Sequence, residues 1–164
     1  MLRLFKDILG AALLVVAAVL FTAMIPLFLA AYAVYSVVLY VVVWLAWCMH
    51  NRNVLLVYSN SPNWQEYVED QLIPRLPENT IVLNWSERRT WSGLALSVRV
   101  FRHFGGSREF NPIVFVFKPF HWTRTFRFWQ AFREYKHGKP DLLTETQTDL
   151  IQYLNRVGIG TTET

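Results

Sequence analysis

Charge is missing where its absence says most. Residues 8–49 contain no Asp, Glu, Lys, Arg or His, which excludes a solvated helix or a disordered linker for about a quarter of the chain. Cysteine is almost absent. With Cys48 alone, no intramolecular disulfide and no thiolate cluster for zinc or iron–sulfur is available. The four histidines, His50, His103, His121 and His137, have no paired spacing, so no metal site is expected. Glycine is scarce, with seven in 164 residues, and none follows the first strand pattern. There the chain reads Ser59-Asn60-Ser61-Pro62-Asn63, which matches neither the dinucleotide fingerprint nor the P-loop, so backbone cradling of a pyrophosphate is excluded. No motif implies a cofactor.

What is present begins with the apolar run. A helix rises about 1.5 Å per residue and a bilayer's hydrocarbon core is about 30 Å thick, so residues 8–48 form a helix of roughly 60 Å, twice one crossing. The sequence predicts two crossings, helices at about 8–25 and 27–48, reversing near Thr22 to Pro26, because proline removes a backbone donor. Trp44 and Trp47 then mark the interface beside the soluble part, with Tyr32 and Tyr35 nearer the opposite one. The missing polar loop argues against that hairpin and for one long helix. Arg3 and Lys6 before the run and Ala31-Tyr32-Ala33 within it mimic a secretory signal, but the apolar region is too long for one. Arg3 and Lys6 precede the run and Arg52 follows it, so the positive-inside preference predicts both hairpin ends, and the soluble domain, on the cytoplasmic face.

The remaining residues suffice for one small domain with one core. The expected division is residues 1–50 as anchor, 51–158 as α/β domain and 159–164 as tail. The net charge of +4 is unevenly spread: residues 81–139 hold eleven Arg or Lys against Glu87, Glu109 and Glu134. Residues 54–59 are an apolar run that predicts a buried strand. Ser61 and Pro62 suit the start of a helix carrying Trp64, Val68 and Leu72. Residues 80–86 predict a second strand, and a helix from about Thr90 carries Trp91, Leu94, Val98 and Phe101 until Gly105-Gly106 stops it. Residues 112–118 predict a third strand. A helix over 122–136 gathers Trp122, Phe126, Phe128, Trp129, Phe132 and Tyr135 on one face; that face suits either a membrane surface or the core, and covering a three-stranded sheet favours the core. A last helix starts near Thr144 to Thr146, with Thr146 and Asp149 as a weak capping box, and buries Leu150, Leu154 and Val157.

This alternation predicts a three-layer domain around a mainly parallel three-stranded sheet in the order 2-1-3. Ligands in such sheets bind beyond the carboxyl ends of the strands, so the loops bearing Ser59, Asn60, Ser61, Glu87, Arg88, Arg89, Lys118, His121 and Arg124 are expected to converge on an anion. A sharper alternative makes Ser59, Glu87 and His121 a nucleophile, orienter and base, although no Gly-x-Ser-x-Gly elbow surrounds Ser59. The function expected is a membrane-anchored, non-catalytic α/β module on the cytoplasmic face, binding an anionic small molecule, a lipid headgroup or a membrane protein partner. The alternative is a membrane-anchored enzyme acting on a phosphorylated or lipid-linked substrate. No nucleic-acid motif accompanies the basic charge, which the bilayer explains, so no nucleic-acid partner is expected.

Overall fold

In the computed structural model, residues 2–106, 111–137 and 141–160 are described. They fall into two units, Met1–Tyr40 and Val41–Thr164. The first belongs to one helix, α1 (Leu2–Ala46), which continues through Pro26. The hairpin expected at Thr22 to Pro26 is therefore replaced by a single element. Residues 22–26 offer no polar loop to satisfy a reversal, whereas a helix pairs nearly all of its own backbone. The Thr22 hydroxyl donates to the Ala18 carbonyl at 2.8 Å, one turn before the proline-disrupted turn. Such hydroxyls help apolar helices tolerate proline. The stretch Leu13–His50, 38 residues, makes this helix long and apolar enough to cross a membrane. Leu14, Leu20, Phe28 and Val34 are exposed along it.

The second unit is a mixed α/β domain. Its strands β1 (Val54–Tyr58), β2 (Ile81–Asn84) and β3 (Ile113–Val116) lie where the apolar runs predict them. A fourth, β4 (Arg124–Arg127), joins them. The sheet order is β2-β1-β3-β4. β1 and β2 are parallel, with Val57 opposite Leu83. β3 is antiparallel to β1, with Val57 opposite Ile113 and Val54 opposite Val116. The expected mainly parallel, three-stranded sheet is thus corrected in direction and in number.

Both corrections have local causes. The helix α3 (Leu96–Phe104) spans only 9 residues, and Gly105 follows it. The Arg127 guanidinium donates to the Gly105 carbonyl at 3.2 and 3.3 Å, and Arg127 pairs with Ile113, the first residue of β3. Ile113 begins β3 opposite Val57, near the end of β1, so β3 runs back against β1. Gly105 itself is demanded by space, since a Cβ there would sit 2.5 Å from the Phe101 carbonyl oxygen. β4 carries Phe126 buried and both its arginines, Arg124 and Arg127, exposed. Pairing with β3 satisfies that strand's outer edge, and the Phe128 amide continues the ladder to the Pro112 carbonyl at 2.9 Å.

Side chains alternate across the sheet and build two cores. Val54, Leu56, Tyr58, Val114 and Val116 face a cluster with Leu143, Leu150, Leu154 and Ile159. Leu143, Leu150 and Leu154 come from α5 (Asp141–Arg156). Phe128, Ala131 and Phe132 of α4 (Phe128–Lys136) pack into the same cluster. On the other face, the fully buried Phe101 packs edge-on against Phe115, Trp85 and Trp91. The helix expected after Pro62 is an irregular succession: a single α turn, α2 (Gln65–Tyr67), a π turn (Val68–Leu72) and a 3-10 turn (Ile73–Arg75). Thr146 lies inside α5 and donates back to the Leu142 carbonyl at 2.7 Å instead of capping. Ile159, expected in the tail, is buried in the core.

Candidate functional site

The antiparallel course of β3 divides the residues expected to converge. Ser59, Asn60, Ser61, Glu87, Arg88 and Arg89 follow β1 and β2 at their carboxyl ends. Lys118, His121 and Arg124 lie at the opposite end, beside the start of β1, where Val116 pairs with both Val54 and Arg124. At about 3.3 Å per residue, the length of β1 separates the two groups by roughly 15 Å.

The first group is occupied with itself. The Asn60 amide donates to the Ser86 hydroxyl at 2.9 Å, and the Asn84 side-chain amide donates to Asn60 Oδ1 at 2.6 Å. Ser59 is 9 % exposed, and its hydroxyl accepts the Trp64 indole N–H at 3.2 Å. The short polar side chains here close turns, a role for which Asn and Ser are suited. Arg88 lies 4.9 Å above the Trp85 ring, while Glu87 and Arg89 are exposed. His121 Nδ1 is held 2.9 Å from the Pro119 carbonyl oxygen. With His121 at the far end of the sheet, Ser59, Glu87 and His121 are not a catalytic set.

A concavity lies elsewhere, in a groove of about 450 Å³ lined by Trp64, Tyr67, Phe132, Tyr135, Thr144 and Gln147 among others. A hollow of about 260 Å³ adjoins it, sharing Trp64 and Phe132 and adding Trp129 and Arg133. Phe132 anchors the floor, edge-on to Tyr67 at 5.1 Å and tilted against Trp64 at 6.0 Å. Arg133 stands 5.2 Å above the Trp129 ring, an arrangement that keeps a cation at an aromatic rim. Burial pushes the Tyr67 hydroxyl up to about 12, against a downward pull from Arg75. Tyr67 therefore stays protonated and donates to Gln147 Oε1 at 2.7 Å. That bond fixes the amide, and its Nε2 is buried with no hydrogen-bond partner among the described residues. A buried donor left unpaired is costly.

No family model, curated protein or solved structure matches this chain. The groove's residues must carry the reading themselves. Among the described residues no cluster of His, Cys, Asp or Glu suits a metal ion.

The expected anion site missed this groove, although a signal for it exists. Leu143, Gln147, Leu150 and Leu154 recur at helical spacing, which sets a glutamine on the buried stripe of α5. Phe132 and Tyr135 stand on the aromatic face assigned to the core, and only Phe132 is buried, since Tyr135 is 53 % exposed.

Proposed function

We propose that this protein is a membrane-anchored, non-catalytic α/β module that holds a protein partner in the Trp64–Phe132 groove, at the cytoplasmic face. The observation that carries the reading is a groove walled by Trp64, Tyr67, Phe132 and Tyr135, with Arg133 over Trp129 in the adjoining hollow. Tryptophan, tyrosine and arginine are the residues that dominate protein–protein binding energy when they sit in such depressions.

The helix α1 supplies the anchor, and its length allows one crossing. A single crossing sets Arg3 and Lys6 on one side and Arg52 on the other, so the two basic flanks do not share the cytoplasm as a hairpin would allow. The cytoplasmic placement of the domain rests instead on its sheet end beside residues 41–53, which carries Arg52, Lys118 and Arg124. This basic end complements the negative surface of the cytoplasmic leaflet.

Photo-crosslinking tests the partner. In the full chain expressed in its native membrane, Thr144→p-benzoylphenylalanine is expected to give one dominant adduct. The same replacement at Val82, on the β2 edge, is expected to give none. With the captured partner purified, Trp64→Ala is expected to weaken binding by at least about 2 kcal/mol, roughly thirtyfold. Absence of an adduct at position 144, or unchanged affinity after Trp64→Ala, contradicts the reading.

A further inference from the structure

The most exposed large apolar side chains of the α/β domain belong to one short loop. Between β3 and β4, Phe120 is 87 % and Trp122 is 85 % exposed. Phe120 is held in the left-handed backbone region at φ 61°, a conformation that bulky L-residues adopt at a cost. The turn is closed by the His121 amide donating to the Lys118 carbonyl at 3.2 Å. The fold therefore constrains the loop's backbone while leaving both rings in contact with solvent. Large aromatic groups so placed mark an interaction surface.

Their neighbours identify the surface they meet. The loop lies at the sheet end beside residues 41–53: the Phe117 amide donates to the Asn53 carbonyl at 2.8 Å, Phe117 packs edge-on against Trp47 at 5.7 Å, and Phe120 is tilted against Trp44 at 5.3 Å. Met49, in the turn that leaves α1, is 72 % exposed. Around these apolar groups stand Arg52, Lys118, His121 and Arg124. Arg124 is braced over the Phe126 and Tyr153 rings at 5.4 and 4.7 Å, which keeps its charge at this end of the domain. Amphipathic aromatics beside cations, next to the end of an apolar helix, match the chemistry of a headgroup layer, where rings sit at the acyl boundary and guanidinium or ammonium groups meet phosphate.

We infer that the β3–β4 loop, residues 118–123, is a second membrane contact, which seats Phe120 and Trp122 in the lipid interface and so fixes the domain against the bilayer. This inference rests on the reading of α1 as a membrane anchor. It adds a consequence that the anchor alone does not have: the domain itself meets the bilayer at a second point.

Site-directed spin labelling of the full chain in vesicles of mixed phosphatidylcholine and phosphatidylglycerol tests it. In a Cys48→Ala background, single labels are placed through Phe120→Cys, Trp122→Cys, Leu94→Cys and Val19→Cys. Leu94 is an exposed apolar position in the β2–α3 connection, and Val19 is an exposed position of α1. Labels at 120 and 122 are expected to collide severalfold more with oxygen than with a water-soluble nickel chelate, as the label at 19 does, while the label at 94 shows the reverse. If 120 and 122 behave like 94, the loop is in water and the inference fails while the anchor stands. If they are shielded from both reagents, the loop meets protein and the inference fails. If the label at 19 also prefers the chelate, the anchor reading itself is overturned, and with it the loop contact.

Discussion

Replacing Phe115 by alanine is expected to destabilise the α/β domain by about 3 to 5 kcal/mol. The ring is fully buried, lies 6.4 Å from Phe101 and 6.5 Å from Phe117, and stands on the central antiparallel pairing opposite Leu55 and Thr125. Truncation removes the transfer free energy of a phenyl group and leaves a void that the neighbouring strands β1 and β4 cannot close. A domain of this size is stable by about 5 to 15 kcal/mol in total, so the loss is a large share. Val82→Ala is the matched comparison. Val82 sits on the edge strand and is 41 % exposed, and its loss is expected to stay below about 1 kcal/mol. Denaturant titration of the full chain in detergent micelles, followed by near-ultraviolet circular dichroism, reads both. Equal losses would mean that the aromatic face is not the core described above.

The second large effect concerns α1, and it is one of redundancy. About 18 to 20 apolar residues cross a bilayer, and the helix offers a stretch of 38. A single Phe21→Asp leaves residues 22–49 intact, enough for a crossing, so the protein is expected to stay resistant to alkaline extraction from membranes. Adding Tyr35→Asp divides residues 8–49 into pieces of 13 or 14 residues, none long enough. Each carboxylate at the helix centre costs about 2.5 to 3.5 kcal/mol, and the double variant is expected to pass into the soluble fraction. Extraction of the single variant, or retention of the double one, would contradict anchoring by one continuous apolar helix.

How far the sequence alone reaches is visible in particular residues. Residues 54–58, 81–84 and 113–116 are apolar runs flanked by turn residues, and each forms its expected strand in the order 2-1-3; for 54–58 and 113–116, burial on both faces leaves few alternatives. The direction of β3 is not written in residues 112–118. It is set by the tertiary pairing of Ile113 with Val57 and Arg127, which has no periodic signal. β4 escaped notice because Phe126 and Phe128 fit both a helical aromatic face and a two-residue alternation, and four residues are too few to separate the periods. Lys118, His121 and Arg124 are expected in the loop after the third strand, with Arg124 also on the helix over 122–136; the structure has Arg124 in β4, and the direction of β3 sets all three at the other end of the sheet from Ser59 and Arg88. The hairpin was favoured because proline usually ends a helix in water, whereas in an apolar helix the neighbouring hydroxyl of Thr22 and the lack of any polar loop favour continuation.

The claim on which the account turns is that one helix crosses the membrane once and carries the domain at the cytoplasmic face. In a Cys48→Ala background, single cysteines introduced by Leu2→Cys and by Thr148→Cys, an exposed position of α5, can be probed in intact cells with a maleimide that does not cross membranes. The account predicts that the cysteine at position 2 is labelled from outside and that the one at 148 is labelled only after permeabilisation. Equal accessibility of the two positions would contradict it.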